Sequence, residues 1–320
     1  MQLNAENLFL FLDQELPPDW KTLKESDWQA LSKASVPNKP LKKTLALAEA
    51  VLDVFPHVVA VNEVGGMESL RHFNRLFLED RYEEYLVEGN SDRGIDVGYL
   101  VRRDWKKKIV FRSHRERPID FLYPHERGGK STKTSHLFSR DCAELRIFSD
   151  EISPIPALIL FVVHLKSKLD PQGIDPYGNR RRAAEAQALV KIYLESQKEF
   201  PASSRVVLGD FNGIARFDQR EPEFNVIYEQ TDLKNALELA GLEKEFSTTQ
   251  VQFSRMGLRE LLQFDYVFLS QDLHDKLVEG ETFVYRYKND MGIYSSLPMN
   301  FDEKLMQPSD HYPVVVTLEL

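Results

Sequence analysis

Short apolar runs, many of them β-branched, recur along the chain and alternate with segments whose apolar residues return every three or four positions. That alternation predicts α/β layers. Strands are expected at 2–9, 58–62, 96–101, 158–163, 205–208, 264–269 and 313–318. Several are almost continuously apolar, as a strand covered on both faces requires. Leu45, Ala48, Leu52 and Phe55 share one helical face, and so do Ala183, Ala186, Val190 and Tyr193. These two segments predict amphipathic helices that cover the sheets, and a further helix is suggested at 65–77. The stretches 11–40, 112–140 and 285–309 follow neither period. Irregular segments of that length inside a compact domain are usually functional loops or disordered ones. No repeat, low-complexity tract or linker divides the chain, so 1–320 reads as a single domain.

The apolar runs end in polar residues that a buried strand otherwise avoids. LNAENLF carries Asn4, Glu6 and Asn7; VVAVNEV carries Glu63; LFVVHLKSK carries His164. VVLGDFNG ends in Asp210 and Asn212, FDYVFLS begins near Asp265, and SDHYPVVV carries Asp310 and His311. An isolated carboxylate in such a place is costly unless it is paired or bound to a metal. Acids, amides and imidazoles at so many strand ends therefore point to one shared polar centre. Its donors are mostly hard oxygens, with no cysteine cluster and no histidine pair at zinc spacing. That set suits Mg²⁺ or Mn²⁺.

Composition narrows the picture. The 320 residues include 41 basic and 50 acidic side chains, a net charge of −9. This balance counts against a nonspecific nucleic-acid binder, whose affinity comes mostly from neutralised phosphates. A chain of this length buries about three quarters of its unfolded surface and needs no staples. Cys142 is the single cysteine, which excludes an intrachain disulfide and suits a reducing compartment such as the cytoplasm. No run approaches the roughly 20 apolar residues of a membrane span, and no signal-peptide pattern is visible. The first strand begins at Met1, so trimmed upstream sequence, and with it a secreted or periplasmic location, stays open.

Taken in order, NAENLF, NEV, RGIDVGYL, VVHLKSK, GDFNG, FDYVFLS and SDHYPVVV resemble the endonuclease/exonuclease/phosphatase family. The match runs from Asn4 past His311, and GDFN together with SDHYPV is its most specific part. The resemblance implies a four-layered α/β sandwich: two packed mixed β-sheets flanked by helices, with the site at one edge of both. It implies a divalent-metal-dependent phosphoester hydrolase using Mg²⁺ or Mn²⁺. By that resemblance Glu63 binds the metal, Asp310 lies beside it, Glu6 is a further acidic neighbour, and Asn4 arranges metal and phosphate. Asp210 orients or deprotonates the attacking water, and Asn212 contacts the phosphate. His311 hydrogen-bonds a phosphoryl oxygen, with Asp265 as its orienting carboxylate. His164 stands where DNase-like and sphingomyelinase-like members carry a histidine. Asp96 falls where a carboxylate would pair with it and raise its pKa.

Singly, each residue has a plainer explanation. Asn4 or Asn7 can satisfy strand-end backbone groups, His164 can be a core histidine, and Asp210–Gly213 can be only a turn. Their joint occurrence in family order is what outweighs these readings. The reaction expected first is that of a phosphodiesterase or nuclease, with DNA or RNA among the candidate substrates and a monomer favoured. A phosphomonoesterase or a phospholipid or inositol-phosphate hydrolase is the alternative, because loops and not ligands choose the substrate. An inactive binding protein of the same fold is the third reading, and it is disfavoured because every matched position holds a competent residue. Among the basic residues, Lys106–Lys108 read as a solvated hairpin end, whereas Arg112, Arg115, Arg117, Arg127, Lys130 and Lys133 form a loop able to meet an anionic substrate. Lys166 and Lys168 lie closer to the expected centre, and Arg180 or Arg181 is placed to reach back to it.

Overall fold

The computed structural model describes residues 1–127, 134–170 and 173–320. Lys130 and Lys133 of the basic loop lie outside the described residues. The chain lays down β1 (Gln2–Leu8), β2 (Val58–Val64), β3 (Tyr82–Leu86) and β4 (Asp96–Arg102). Then follow β5 (Ile109–Ser113), β6 (Cys142–Ile147), β7 (Leu158–His164) and β8 (Ser204–Asp210). After them come β9 (Lys234–Asn235), the hairpin β10 (Gln250–Phe253) and β11 (Arg259–Leu262), β12 (Asp265–Leu269), β13 (Phe283–Val284) and β14 (Val314–Val315). One six-stranded sheet has the order β13-β14-β1-β2-β4-β3, the other β5-β6-β7-β8-β12-β9. Both are mixed: β1 runs parallel to β2 and β7 to β8, while the other pairings are antiparallel. The expected sandwich is therefore present.

Alternation along each strand builds the layers. On β7, Leu158, Leu160 and Val162 join the core cluster that includes the first sheet. Ile159, Phe161 and Val163 point the other way, into a second cluster with Ala186, Val190 and Tyr193 of the helix Asn179–Glu199. The helix Leu41–Val54 buries Leu47, Ala48 and Val51 against the first sheet. The suggested helix at 65–77 is real but changes pitch, α-helical over Gly66–His72 and a wider turn over Phe73–Phe77. The irregular stretches are partly ordered: 11–40 holds the short helix Glu25–Ala30, with Trp28 fully buried, and 285–309 holds Phe301–Met306. The strand expected at 313–318 shrinks to two residues beside β1 and β13. No helix among the described residues is long and apolar enough to cross a membrane.

Three local features aim strand ends at one place. Gly209 has φ 135°, and a Cβ there would lie 1.9 Å from the Val163 carbonyl oxygen. Only glycine lets β8 approach β7 this closely, and the register sets Asp210 beside His164. Pairing slips between Asn4 and Leu8 on β1 and between Asn62 and Val64 on β2. Such irregularities re-aim a side chain that strict alternation would send to the opposite face. Glu6, Asn7, Glu63 and Asn212 all adopt positive φ, between 45° and 62°. Left-handed backbone is unfavourable for these residue types and tends to concentrate at functional sites.

Candidate functional site

The two sheets meet at one end through a continuous polar network. Gln2 donates to Asp265 and to Asn62, each at 2.9 Å, and Asn62 donates to the Val163 carbonyl at 2.9 Å. Asn4 on β1 donates to Asp210 Oδ2 at 3.0 Å, crossing from one sheet to the other. Ser309 anchors the C-terminal loop by donating to the Asn4 carbonyl at 2.8 Å, and it accepts the His311 N–H at 3.1 Å. The residues predicted from strand ends are thereby brought into one centre.

Asp210 is its hub. The backbone N–H of Asn212 donates to Oδ1 at 2.7 Å, and the Asn212 amide reaches Oδ2 at 3.3 Å. His164 Nε2 lies 3.6 Å and His311 Nε2 3.9 Å from the same Oδ2. The carboxylate is 1% exposed. Burial raises its pKa to about 7, against an opposing pull from His311 and with support from Asp265. His311 Nδ1 sits 2.6 Å from Asp265 Oδ2. Burial opposes charge on this ring, but Asp265, Asp310 and Asp210 outweigh it and hold the imidazole well above its ordinary pKa. The Gln250 amide nitrogen lies 2.8 Å from His311 Nε2. A cationic ring wants an acceptor there, which a turn of that amide supplies.

Glu63 flanks the hub, with Oε1 3.9 Å from His164 Nε2 and Oε2 accepting the Asn7 N–H at 3.1 Å. Glu6 faces Lys39 at 3.8 Å and Lys43 at 4.0 Å. Burial and then Asp310 raise its pKa. Asp310 lies 3.7 Å from His311 Nε2 and 3.6 Å from Lys304. Two groupings, Glu63–His164–Asp210 and Asp210–Asp265–His311, bring donor atoms close enough together to share an ion. The donor set fits a hard divalent cation. Among the described residues Glu63 Oε1 receives no hydrogen bond, and Asp210 and Glu6, whose pKa values burial raises, are carboxylates whose charged form a cation would stabilise.

One expectation is corrected. Asp96 and His164 are joined by no hydrogen bond or ion pair; Asp96 Oδ1 accepts the Gly89 N–H at 2.6 Å instead. Pairing β4 with β2 sets Asp96 opposite Val64 in the first sheet, whereas His164 ends β7 in the second. Burial raises the Asp96 pKa. His164, 3% exposed, is held well below its ordinary pKa by burial, then by Arg140 and His311. Its ring is neutral, and Nδ1 is buried without a hydrogen-bond partner among the described residues.

The basic residues divide. Arg117 is committed to Glu195 and Arg115 reaches the Glu88 carbonyl, so neither is free for the centre. Lys107 and Lys108 bond carbonyls of Ser149 and Glu151, consistent with a hairpin end. Lys168 pairs with Glu221 at 2.8 Å. Arg182, not Arg180 or Arg181, is the fully buried arginine of its helix, and it donates to Glu223 at 3.0 Å. Residues missed by sequence reasoning are Gln2, Asn62, Arg93 and Arg140. Arg93 donates to Asn7 Oδ1 at 2.6 Å and lies 4.0 Å from Glu63. The amides Gln2 and Asn62 were legible as polar residues inside apolar runs; Arg140 had no distinguishing signal within its basic stretch.

The Asp210 shift has a sign for metal-free stability. Unfolded, the group loses its proton near 3.8; folded, it keeps it to about 7. The folded state binds more protons across that window, so stability falls as pH rises through it. Asp210→Asn, neutral throughout, should gain on the wild type by about 1–3 kcal/mol between about pH 5 and pH 8. Denaturant unfolding of chelator-treated protein measures this, and a pH-independent difference between the two proteins contradicts it.

No family model matches the sequence, and no curated protein matches it at the sequence level. Solved structures do. Truncated TDP2 of Caenorhabditis elegans superposes with a TM-score of 0.55 at 17% identity, over 87% of this chain and 91% of that one. A mannosyl-6-phosphatase of Bacteroides thetaiotaomicron gives 0.54 at 16%, over 87% and 91%. An endonuclease/exonuclease/phosphatase family protein from the same organism gives 0.53 at 15%, over 86% and 88%. At such identities the likeness shows a shared fold.

Proposed function

We propose that this chain, which has the endonuclease/exonuclease/phosphatase fold, is a divalent-metal-dependent phosphoester hydrolase that directs in-line attack of water, with phosphodiesters as its first substrate class. The supporting observation is the junction of Asn4, Glu63, His164, Asp210, Asp265 and His311 across the two sheets. Glu63 would hold Mg²⁺ or Mn²⁺, with Asp310, Asn4 and Glu6 as further oxygen donors. When bound, the ion supplies charge neutralisation and polarisation of a phosphoryl oxygen.

The protein's own groups divide the remaining work. Asp210, poised near neutrality, accepts the proton of the attacking water at its carboxylate. Asn4 and Asn212 fix the orientation of that carboxylate. Asp265 holds His311 Nδ1, so that Nε2–H of the cationic ring is the donor offered to a phosphoryl oxygen that displaces the Gln250 amide. Neutral His164 serves as a hydrogen-bond donor through Nε2, and Asn212 is a phosphate contact.

A phosphomonoesterase is the second reading, supported by the likeness to the mannosyl-6-phosphatase. An inactive binding protein is disfavoured because each matched position holds a competent side chain. A screen with added Mg²⁺ or Mn²⁺ against bis-p-nitrophenyl phosphate, single-stranded and duplex DNA, RNA, sugar phosphates and inositol phosphates tests the reading. Hydrolysis of the generic diester is expected. Turnover of monoesters alone favours the second reading, and no turnover of any phosphoester overturns both.

A further inference from the structure

A cavity of about 530 Å³ opens beside the centre, walled by Arg93, Tyr123, Arg140, Lys166 and Arg181 among others. Its connection to the centre is direct. Arg93 lies 4.0 Å from Glu63, and Lys166 follows His164 by two residues on the chain.

Arg140 is the anomaly in this wall. Its side chain is only 6% exposed, yet it makes no hydrogen bond or ion pair with any described residue, and Nε is enclosed without a partner. A buried cation left this way is costly, and such groups are rare in native proteins without a reason. Lys166 is the second cation without a direct ion pair among the described residues, although Glu185 acts on both from a distance. Its ammonium donates only to the Ser167 and Leu169 carbonyls, at 3.0 and 2.6 Å. Three of the neighbouring acids are engaged elsewhere, while Asp92 also lines the wall. Glu185 accepts the N–H groups of Ser139 and Lys166, Glu126 lies 2.7 Å from His136, and Asp170 accepts the Asp175 N–H. Arg181 is partly neutralised by Glu185 at 3.5 Å.

We propose that this cavity is a subsite for a second phosphate of the substrate, held by Arg140 and Lys166 while the scissile phosphoester sits between Glu63 and His311. The inference rests on the hydrolase reading and narrows its substrate class to phosphoesters that carry another phosphoryl group, such as sugar or nucleotide bisphosphates. A guanidinium and an ammonium with open donors meet a dianionic phosphate through charge-assisted hydrogen bonds. A cavity of this volume matches a small ligand.

Two measurements test it separately from catalysis. Chelator-treated full-length protein is titrated with inorganic phosphate by calorimetry. Binding is expected in the wild type and in His311→Ala, and weakened at least about 10-fold in Arg140→Gln and in Lys166→Gln, as for loss of a charge-assisted contact. Arg140→Gln removes a buried unpaired charge, so its Tm should equal or exceed that of the wild type. If it instead fails to fold, Lys166→Gln decides. In the second measurement, kcat/KM is compared for one phosphoester with and without a second phosphate, and both variants should lower that ratio by at least about 10-fold. Absence of turnover on both substrates speaks against the hydrolase reading and leaves calorimetry to decide the subsite. The subsite is overturned if the wild type binds no phosphate without metal, or if binding survives both cavity substitutions, or if His311→Ala alone abolishes it.

Discussion

Asp210→Asn should lower kcat at least about 100-fold, roughly 3 kcal/mol of barrier, and His311→Ala should lose a similar factor. The reasons differ. Asn at 210 can keep the Asn212 N–H contact at Oδ1, while its Nδ2 replaces the oxygen that accepts from Asn4. An amide cannot accept the proton of the attacking water, and the proposed base is gone. His311→Ala removes a cation held by three carboxylates and aimed into the same space. Asp265→Asn should cost less, because the ring keeps its place between Gln250 and the Ser309 loop while losing its anionic partner. Steady-state kinetics on bis-p-nitrophenyl phosphate, with circular dichroism to confirm folding, measures all three. Wild-type turnover in Asp210→Asn would remove that residue from the mechanism.

The parts of this account legible in sequence are those written in strand chemistry. β7 and β8 are buried along their whole length, so their apolar runs and terminal His164 and Asp210 stood out. β5 and β6 were hidden because Arg112, Glu144 and Arg146 interrupt them, and only the fold shows Glu144 satisfied by His114 and Arg146. The pairing slips that aim Glu6 and Glu63 into the centre depend on neighbouring strands and leave no local pattern. Asp96 was placed on the right strand but given the wrong partner, because order along the chain does not say which sheet will face it. Arg140 looked like one more solvated charge in a basic stretch; its burial and its missing partner exist only in three dimensions.

The second large effect is metal dependence. Glu6, Glu63, Asp210, Asp265 and Asp310 gather in one region, and burial already raises the pKa of two of them, Asp210 and Glu6. Such a cluster is compensated most directly by a divalent cation. Glu63→Gln keeps the shape and the acceptor for Asn7 N–H but removes a charge, so the metal concentration for half-maximal activity should rise at least about 10-fold with the fold unchanged. The most direct measurement is the rate of bis-p-nitrophenyl phosphate hydrolysis by metal-stripped protein, in EDTA and then with Mg²⁺ or Mn²⁺ restored. The account predicts no turnover in chelator and recovery with either ion; full activity of the stripped protein in EDTA would contradict it.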